Sequence, residues 1–266
     1  MNLDTSSDAV RRTATHTLGV VSYLNSRPLY EHLRDDPTVA LQPAVPADLI
    51  GMLDRQACDV ALIPVVDYWR NRERLDRVSD SCIASDGETM TVRVFSKRPP
   101  EKVTRLHVDG DSHTSVVLAQ VVWRELYGRT LELAPWDRRN PGSLDDVDAL
   151  LLIGDKVVTG QPIGFGFEVD LGAAWKYATN LPFVFAAWYG AKGRDFGDVA
   201  RALSAARDRG EADAERIART WGPVHGWPEA MAIQYLTQSL KFRITEPMRH
   251  GMERFFELGV QYGLLP

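Results

Sequence analysis

Short apolar runs rich in β-branched residues recur along this chain, and each gives way to a small polar loop and then to a helical pattern. "TLGVVSY" precedes Leu24, "DVALIPV" precedes Val66, "RLHVDGD" precedes Ser112 and "VDALLLIGD" precedes Lys156. This alternation confines the fold to the α/β class. A strand followed by a helix meets its next neighbour through a crossover, and crossovers build mostly parallel sheets.

Individual runs fit that scheme. "DVALIPV" is apolar on both sides, as central strands are, whereas "TMTVRVFSK" alternates Met90, Val92 and Val94 against Thr91, Arg93 and Phe95. "PADLIGMLDRQ" reads as a helix with Pro46 at its start and Leu49, Ile50 and Leu53 on one face. "SHTSVVLAQVVWRELYG" carries the stripe Val117, Leu118, Val121, Val122 and Leu126, and Gly128 stands where a left-handed terminator belongs. A helix is expected over about Pro28–Arg34 and another over about Leu171–Ala178, followed by the very apolar strand "LPFVFAAWYGA". From about Phe196 the chain reads as helical almost to its end, closing on a stripe of Met248, Met252, Phe255 or Phe256, and Val260.

The paired prolines of "RPPEK" forbid helix and disfavour a central strand, so they are taken as the boundary between two βα systems. A second crossing near "NLPFVFAAW" returns the chain to the first system. The expected architecture is therefore α/β and two-lobed: residues 18–97 with 187–266, residues 98–186, and a flexible tail over 1–17. Ligands of such folds lie outside the carboxyl ends of strands and in clefts between lobes.

Composition narrows the function. At 266 residues, with 44% hydrophobic and 25% charged residues, the chain can bury a sizeable core and is neither disordered nor fibrous. A formal charge of −5 argues against a generic nucleic-acid binder. The start of the chain has no apolar core of signal-peptide type, and no run approaches a bilayer span, so a cytoplasmic protein without a membrane partner is expected. Cys58 and Cys82 are expected to be buried thiols. They have no Cys/His spacing that would hold zinc, and no metal or cofactor is implied.

Four loops collect small polar residues: "SYLNSRP", "ASDGETMT", "VDGDSHTS" and "LIGDK". In "GDSHTS" the hydroxyls of Ser112, Thr114 and Ser115 open a helix, where backbone N–H groups and the helix dipole favour an anion. The same residues also suit plain helix capping, and His113 suits either a carboxylate contact or the surface. Asn25 and Ser26 raise the same choice between capping and ligand contact. Asp155 after "LLLIG" reads as a cap or a cleft residue. "GQPIGFGFE" does not join a strand to a helix and is a connecting loop rather than a dinucleotide site. There is no Gly-x-Ser-x-Gly elbow and no clear carboxylate pair. Read from its residues alone, the chain is a two-lobed protein whose cleft takes a small anion.

At "VSYLNSRPL" the sequence resembles the chorismate dehydratases of the futalosine route to menaquinone, cytoplasmic enzymes on the type II periplasmic-binding-protein fold. The resemblance continues in order through "CDVALIPVVDY", "CIASDG", "GDSHTSVVLAQ", "ALLLIGD", "DLGAAWK", "LPFVFAAWYGAK" and the closing "LKFRITEPMRHGMERFFELGVQYGLL". It implies chorismate as the small-molecule substrate, no cofactor, and loss of water to give 3-[(1-carboxyvinyl)oxy]benzoate. It places the family's essential asparagine on Asn25 and its essential hydroxyl on Thr91, where the family pattern has serine; Glu88 stands where proline is usual. Ser26, Ser112, His113, Thr114, Ser115, Gly154 and Asp155 are the implied substrate contacts, with His113 in an arginine position. A non-catalytic carboxylate-binding protein on the same fold is the alternative reading. The later dihydroxynaphthoate synthase of that route is disfavoured because its Ser-Pro-Cys-Pro-Asn-Asp opening is absent.

Overall fold

The computed structural model describes residues 15–136 and 144–266. β1 (His16–Val21) runs through a tight turn at Leu24–Ser26 into the one-turn helix α1 (Arg27–Tyr30), then β2 (Val39–Ala44), α2 (Pro46–Asp54), β3 (Val60–Pro64), α3 (Val65–Arg70) and β4 (Leu75–Ser85). The chain then crosses to β5 (Val92–Ser96), β6 (Arg105–Val108), α4 (His113–Tyr127), β7 (Glu132–Pro135), β8 (Ala149–Ile153), the short α5 (Lys156–Thr159) and β9 (Phe167–Asp170). It returns along α6 (Leu171–Thr179) to β10 (Phe183–Ala191), α7 (Gly197–Ala212), α8 (Ala214–Trp221), α9 (Glu229–Gln234), β11 (Leu240–Arg243) and α10 (Glu246–Gln261).

Two sheets result, a six-stranded one in the order β11-β4-β10-β3-β1-β2 and a five-stranded one in the order β7-β6-β8-β5-β9. The βα units pair in parallel, β1 with β2 and β3, and β6 with β7 and β8. The connecting strands do not. β10 is antiparallel to β3 and β4, and β5 is antiparallel to β8 and β9, so both sheets are mixed rather than mostly parallel. A strand that enters a sheet from the other lobe is not delivered by a helical crossover, which removes the constraint to run parallel.

The lobe boundaries differ from the sequence expectation for the same reason. β5 already belongs to the second sheet, so the crossings lie at residues 86–91 and 171–182, not at 97/98 and 186/187. The prolines of "RPPEK" do break regular structure, into the turn Pro100–Lys102, but they do so inside the second lobe. His16 and Thr17 are part of β1; residues 1–14 of the expected tail lie outside the described residues. Met90 does not extend β5, because its φ of 62° puts it in the left-handed region. The expected helix at 28–34 is broken into α1 and a turn at Glu31–Leu33.

A continuous apolar core runs under both sheets and includes the fully enclosed rings of Trp123, Trp175, Trp188 and Tyr189. β3 is buried along its whole length. α4 lies between the lobes, packed on α3, α6 and α10, with Val117, Leu118, Val121 and Val122 inward and Gly128 ending it at φ 61°. Gly210 lets α7 approach α1: a Cβ there would lie 1.8 Å from the Pro28 carbonyl oxygen, far inside contact distance. In α10, Met248, Met252, Phe255 and Phe256 are buried while Val260 is 46% exposed, so the apolar stripe ends one turn early.

Candidate active site

β10 opposes both β3 and β4, so β3 and β4 point the same way; β6 and β8 are likewise parallel. The loops after β1, β4, β6 and β8 therefore all leave from carboxyl ends, and they meet around one small cavity, a placement typical of ligand sites in α/β folds. Asn25, Thr89, Thr91, Ser112, Ser115 and Tyr235 supply its polar wall, over a floor that includes Val21, Ile83, Ile153 and Phe185. Among the described residues lining it, none is charged.

Asn25 arrives on the turn after β1. Ser26, expected to touch ligand, is fully buried and instead braces that turn: its hydroxyl donates to the Val21 carbonyl at 2.6 Å and the Tyr23 carbonyl at 3.0 Å. Pro28 sets the first turn of α1. Asn25 is left with its Oδ1 buried and without a hydrogen-bond partner at the cavity wall. Buried amide oxygens are seldom left so, and such an atom in a cavity is suited to receive a ligand's donor.

Thr91 lines the same cavity. Its Oγ1 lies 2.6 Å from the Tyr235 hydroxyl, and the two groups are 2% and 1% exposed. Burial holds the Tyr235 phenol well above its ordinary titration range, although hydrogen bonds from Thr91 and Asn25 act the other way. Tyr235 thus stays neutral and keeps a proton to share. The loop carrying Thr91 is fixed by Asp170, whose carboxylate accepts from Thr89 N at 3.0 Å, Met90 N at 2.9 Å and Thr89 Oγ1 at 3.1 Å. The same carboxylate caps α6 through Gly172 N at 3.0 Å and Ala173 N at 3.1 Å.

Ser112 and Ser115 combine the two readings of "GDSHTS". Ser112 Oγ accepts from Ser115 N at 3.2 Å and lies 3.0 Å from Ser115 Oγ, so it caps α4 while both hydroxyls line the cavity. The other two residues of this loop turn away. Thr114 is fully buried and its Oγ1 accepts from Val66 N at 3.2 Å. His113 Nδ1 pairs with Asp67 at 2.8 Å, and that carboxylate raises its pKa against the opposing effect of burial. Both contacts hold α4 to α3 rather than a ligand.

Gly154 does line the cavity. Its φ is +65°, and a Cβ would come within 2.6 Å of the Tyr23 ring, so glycine is required on two counts. Asp155, by contrast, is not among the lining residues; its carboxylate is turned to Leu24 N, His225 and Trp227. Tyr23 donates to Asp111 at 2.7 Å, and Lys156 joins Asp109 and Asp111. Cys58 and Cys82 are buried free thiols, with burial pushing Cys58 up to about 11, so neither is a ready nucleophile.

Tyr235, Tyr23 and Asp170 escaped sequence reasoning. Tyr235 opens a π-helical turn (Tyr235–Ser239) inside a run that reads as ordinary helix; such turns gather at functional sites, but their sequence signal is slight. Asp170 carried a visible signal, an Asp directly before "LGAAWK", yet only as a cap.

Comparison with known proteins agrees with this architecture. A family described as menaquinone biosynthesis matches residues 16–261. A chorismate dehydratase of Thermus thermophilus is 28% identical over 93% of this chain and 96% of its own length. Among solved structures, a protein from Archaeoglobus fulgidus superposes with a TM-score of 0.74 at 14% identity, covering 94% of this chain and 98% of that one. The alkanesulfonate-binding protein of Xanthomonas axonopodis pv. citri superposes with a TM-score of 0.65 at 12% identity over 94% of each chain. These likenesses establish the two-lobed fold of type II periplasmic binding proteins.

Proposed function

We propose that this protein, which belongs to the menaquinone-biosynthesis family, removes water from chorismate to give 3-[(1-carboxyvinyl)oxy]benzoate. The similarity to a protein named chorismate dehydratase supports this reading. The observation that carries it is the gathering of Asn25, with its unpartnered Oδ1, and the Thr91–Tyr235 hydroxyl pair in the wall of one cavity with no charged side chain among its described lining residues.

The reaction makes this sparse set sufficient. The C4–O and C3–H bonds of the ring break, the C3 proton passes through a base to the departing hydroxyl so that water is released and the base is regenerated, and the ring gains the double bond that makes it aromatic. Aromatisation supplies the driving force, so the site must position the substrate and favour charge developing on the departing oxygen. Tyr235, kept protonated by burial, donates to Thr91, and Thr91 in turn donates to the departing hydroxyl. Asn25 orients the substrate, its Oδ1 accepting from the C4 hydroxyl before that group departs. The hydroxyls of Ser112 and Ser115 at the start of α4 receive a carboxylate. Among the described residues no carboxylate or histidine lines the cavity to take the C3 proton, and the substrate's own enolpyruvyl carboxylate fills that role.

Incubation with chorismate tests the proposal. The product should appear in the ultraviolet spectrum and at a mass lower by one water. Saturable binding of chorismate with no such product would instead make the protein a carboxylate binder.

A further inference from the structure

Asp155 carries out work that neither lining the cavity nor capping a helix explains. It stands at the end of β8, in the second sheet, and its side chain is 14% exposed. Its carboxylate receives three donors from two other parts of the chain. Leu24 N, on the turn that bears Asn25, lies 3.3 Å from each oxygen. His225 Nδ1 lies 2.7 Å from Oδ2, and Trp227 Nε1 lies 2.8 Å from Oδ1. The Trp227 ring in turn stacks on Tyr235, with centroids 4.8 Å apart and planes at 15°, and Tyr235 meets Thr91 at 2.6 Å.

We propose that Asp155 is a positioning residue that sets Asn25 and Tyr235 in register: one carboxylate fixes the backbone one residue before the amide and the indole that orients the phenol. Leu24 belongs to the first lobe, Asp155 to the second, and His225 and Trp227 to the closing helical segment, so the three segments are aligned where they meet on this carboxylate. Only a carboxylate serves. Two acceptor oxygens with about four lone-pair sites meet three donors, whereas an asparagine would turn an NH₂ group toward at least one of those N–H groups. The inference rests on the dehydratase reading for the part of its test that measures turnover, and on geometry alone for the part that measures backbone opening.

The variants are Asp155→Asn, Asp155→Glu and Trp227→Phe, the last keeping an aromatic stack while deleting the N–H to Asp155. Backbone amide exchange is followed in the unliganded proteins over residues 22–30 and 228–239, with 250–261 in α10 as reference. In Asp155→Asn both segments should exchange about tenfold faster or more, as loss of charge-assisted hydrogen bonds worth that factor requires, while α10 stays unchanged. Trp227→Phe should loosen 22–30 as well, through the loss of one of the donors that hold the Asp155 carboxylate.

With chorismate, kcat should fall about tenfold or more in Asp155→Asn with KM within threefold, because misregister is felt in the transition state. Asp155→Glu should recover part of that loss. Acceleration confined to one segment, or a rise in KM alone, overturns the inference. If the wild-type protein does not turn chorismate over, the dehydratase reading fails while the exchange arm still decides the role of Asp155.

Discussion

Tyr235→Phe isolates the hydroxyl pair from everything that surrounds it. The ring remains, and so does its stack on Trp227 at 4.8 Å; only the oxygen 2.6 Å from Thr91 Oγ1 is removed. Thr91 is 2% exposed, so water does not readily replace the lost partner, and an unsatisfied buried hydroxyl costs about 1–3 kcal/mol. Against a total stability of about 5–15 kcal/mol the protein stays folded at 25 °C. Its melting temperature should fall by about 2–4 °C per kcal/mol lost. Turnover suffers more. A preorganised donor aimed at developing charge is worth about 10²–10³ in kcat, or about 2.7–4 kcal/mol, so activity should drop by that factor while the calorimetric affinity for chorismate stays within about threefold. Calorimetric melting, titration and mass-detected turnover measure the three quantities on one sample. Turnover within about threefold of wild type, with the melting point lowered, would show the pair to be structural and would refute its chemical role.

Other perturbations probe the supports of the site. Gly154→Ala forces a left-handed alanine into the Tyr23 ring 2.6 Å away; conformational cost and overpacking together should remove about 2–4 kcal/mol in urea denaturation. Asp170→Ala strips the loop bearing Thr91 of its carboxylate clamp and α6 of its cap, so it should cost about 3 kcal/mol or more and lower turnover along with stability. The His113–Asp67 pair raises the folded pKa of His113 above its ordinary value of 6.5. Its contribution is therefore complete below that value and fades as pH rises through the raised one. The melting-point difference between wild type and His113→Gln should be larger at about pH 6 than at about pH 9, and a difference that grows with pH would reverse the assignment.

Much of the architecture was legible because periodicity reports burial locally. The runs around Val20, Ile63, Leu106 and Leu151 are strands, and α4 begins and ends at Ser112 and Gly128 as its caps dictate. What was not legible depends on contacts distant in sequence. β11 hides in "SLKFR", where Leu240 and Phe242 alternate inward only because β4 offers an edge. The crossing at 86–91 carries no composition shift, whereas the conspicuous prolines mark a turn inside a lobe.

At the site, the carboxyl-end rule pointed to the loops that bring Asn25, Ser112, Ser115 and Gly154 to one cavity, and the family resemblance pointed to Thr91. It did not separate them from Ser26, His113, Thr114 and Asp155, neighbours in the same loops that face backbone or the opposite lobe. One residue of offset reverses a side chain's direction in a turn, and only the packed structure resolves it. Tyr235 comes from a segment 144 residues beyond its partner Thr91, where helical patterning gives no hint of a site.

Turnover by Asn25→Ala bears most directly on the whole account. The substitution removes the amide with the unpartnered oxygen at the cavity wall. Wild type should convert chorismate to the aromatic enol ether, and the variant should bind chorismate and melt as a folded protein yet turn over about 10²-fold more slowly or worse. Near-normal conversion by Asn25→Ala would contradict it.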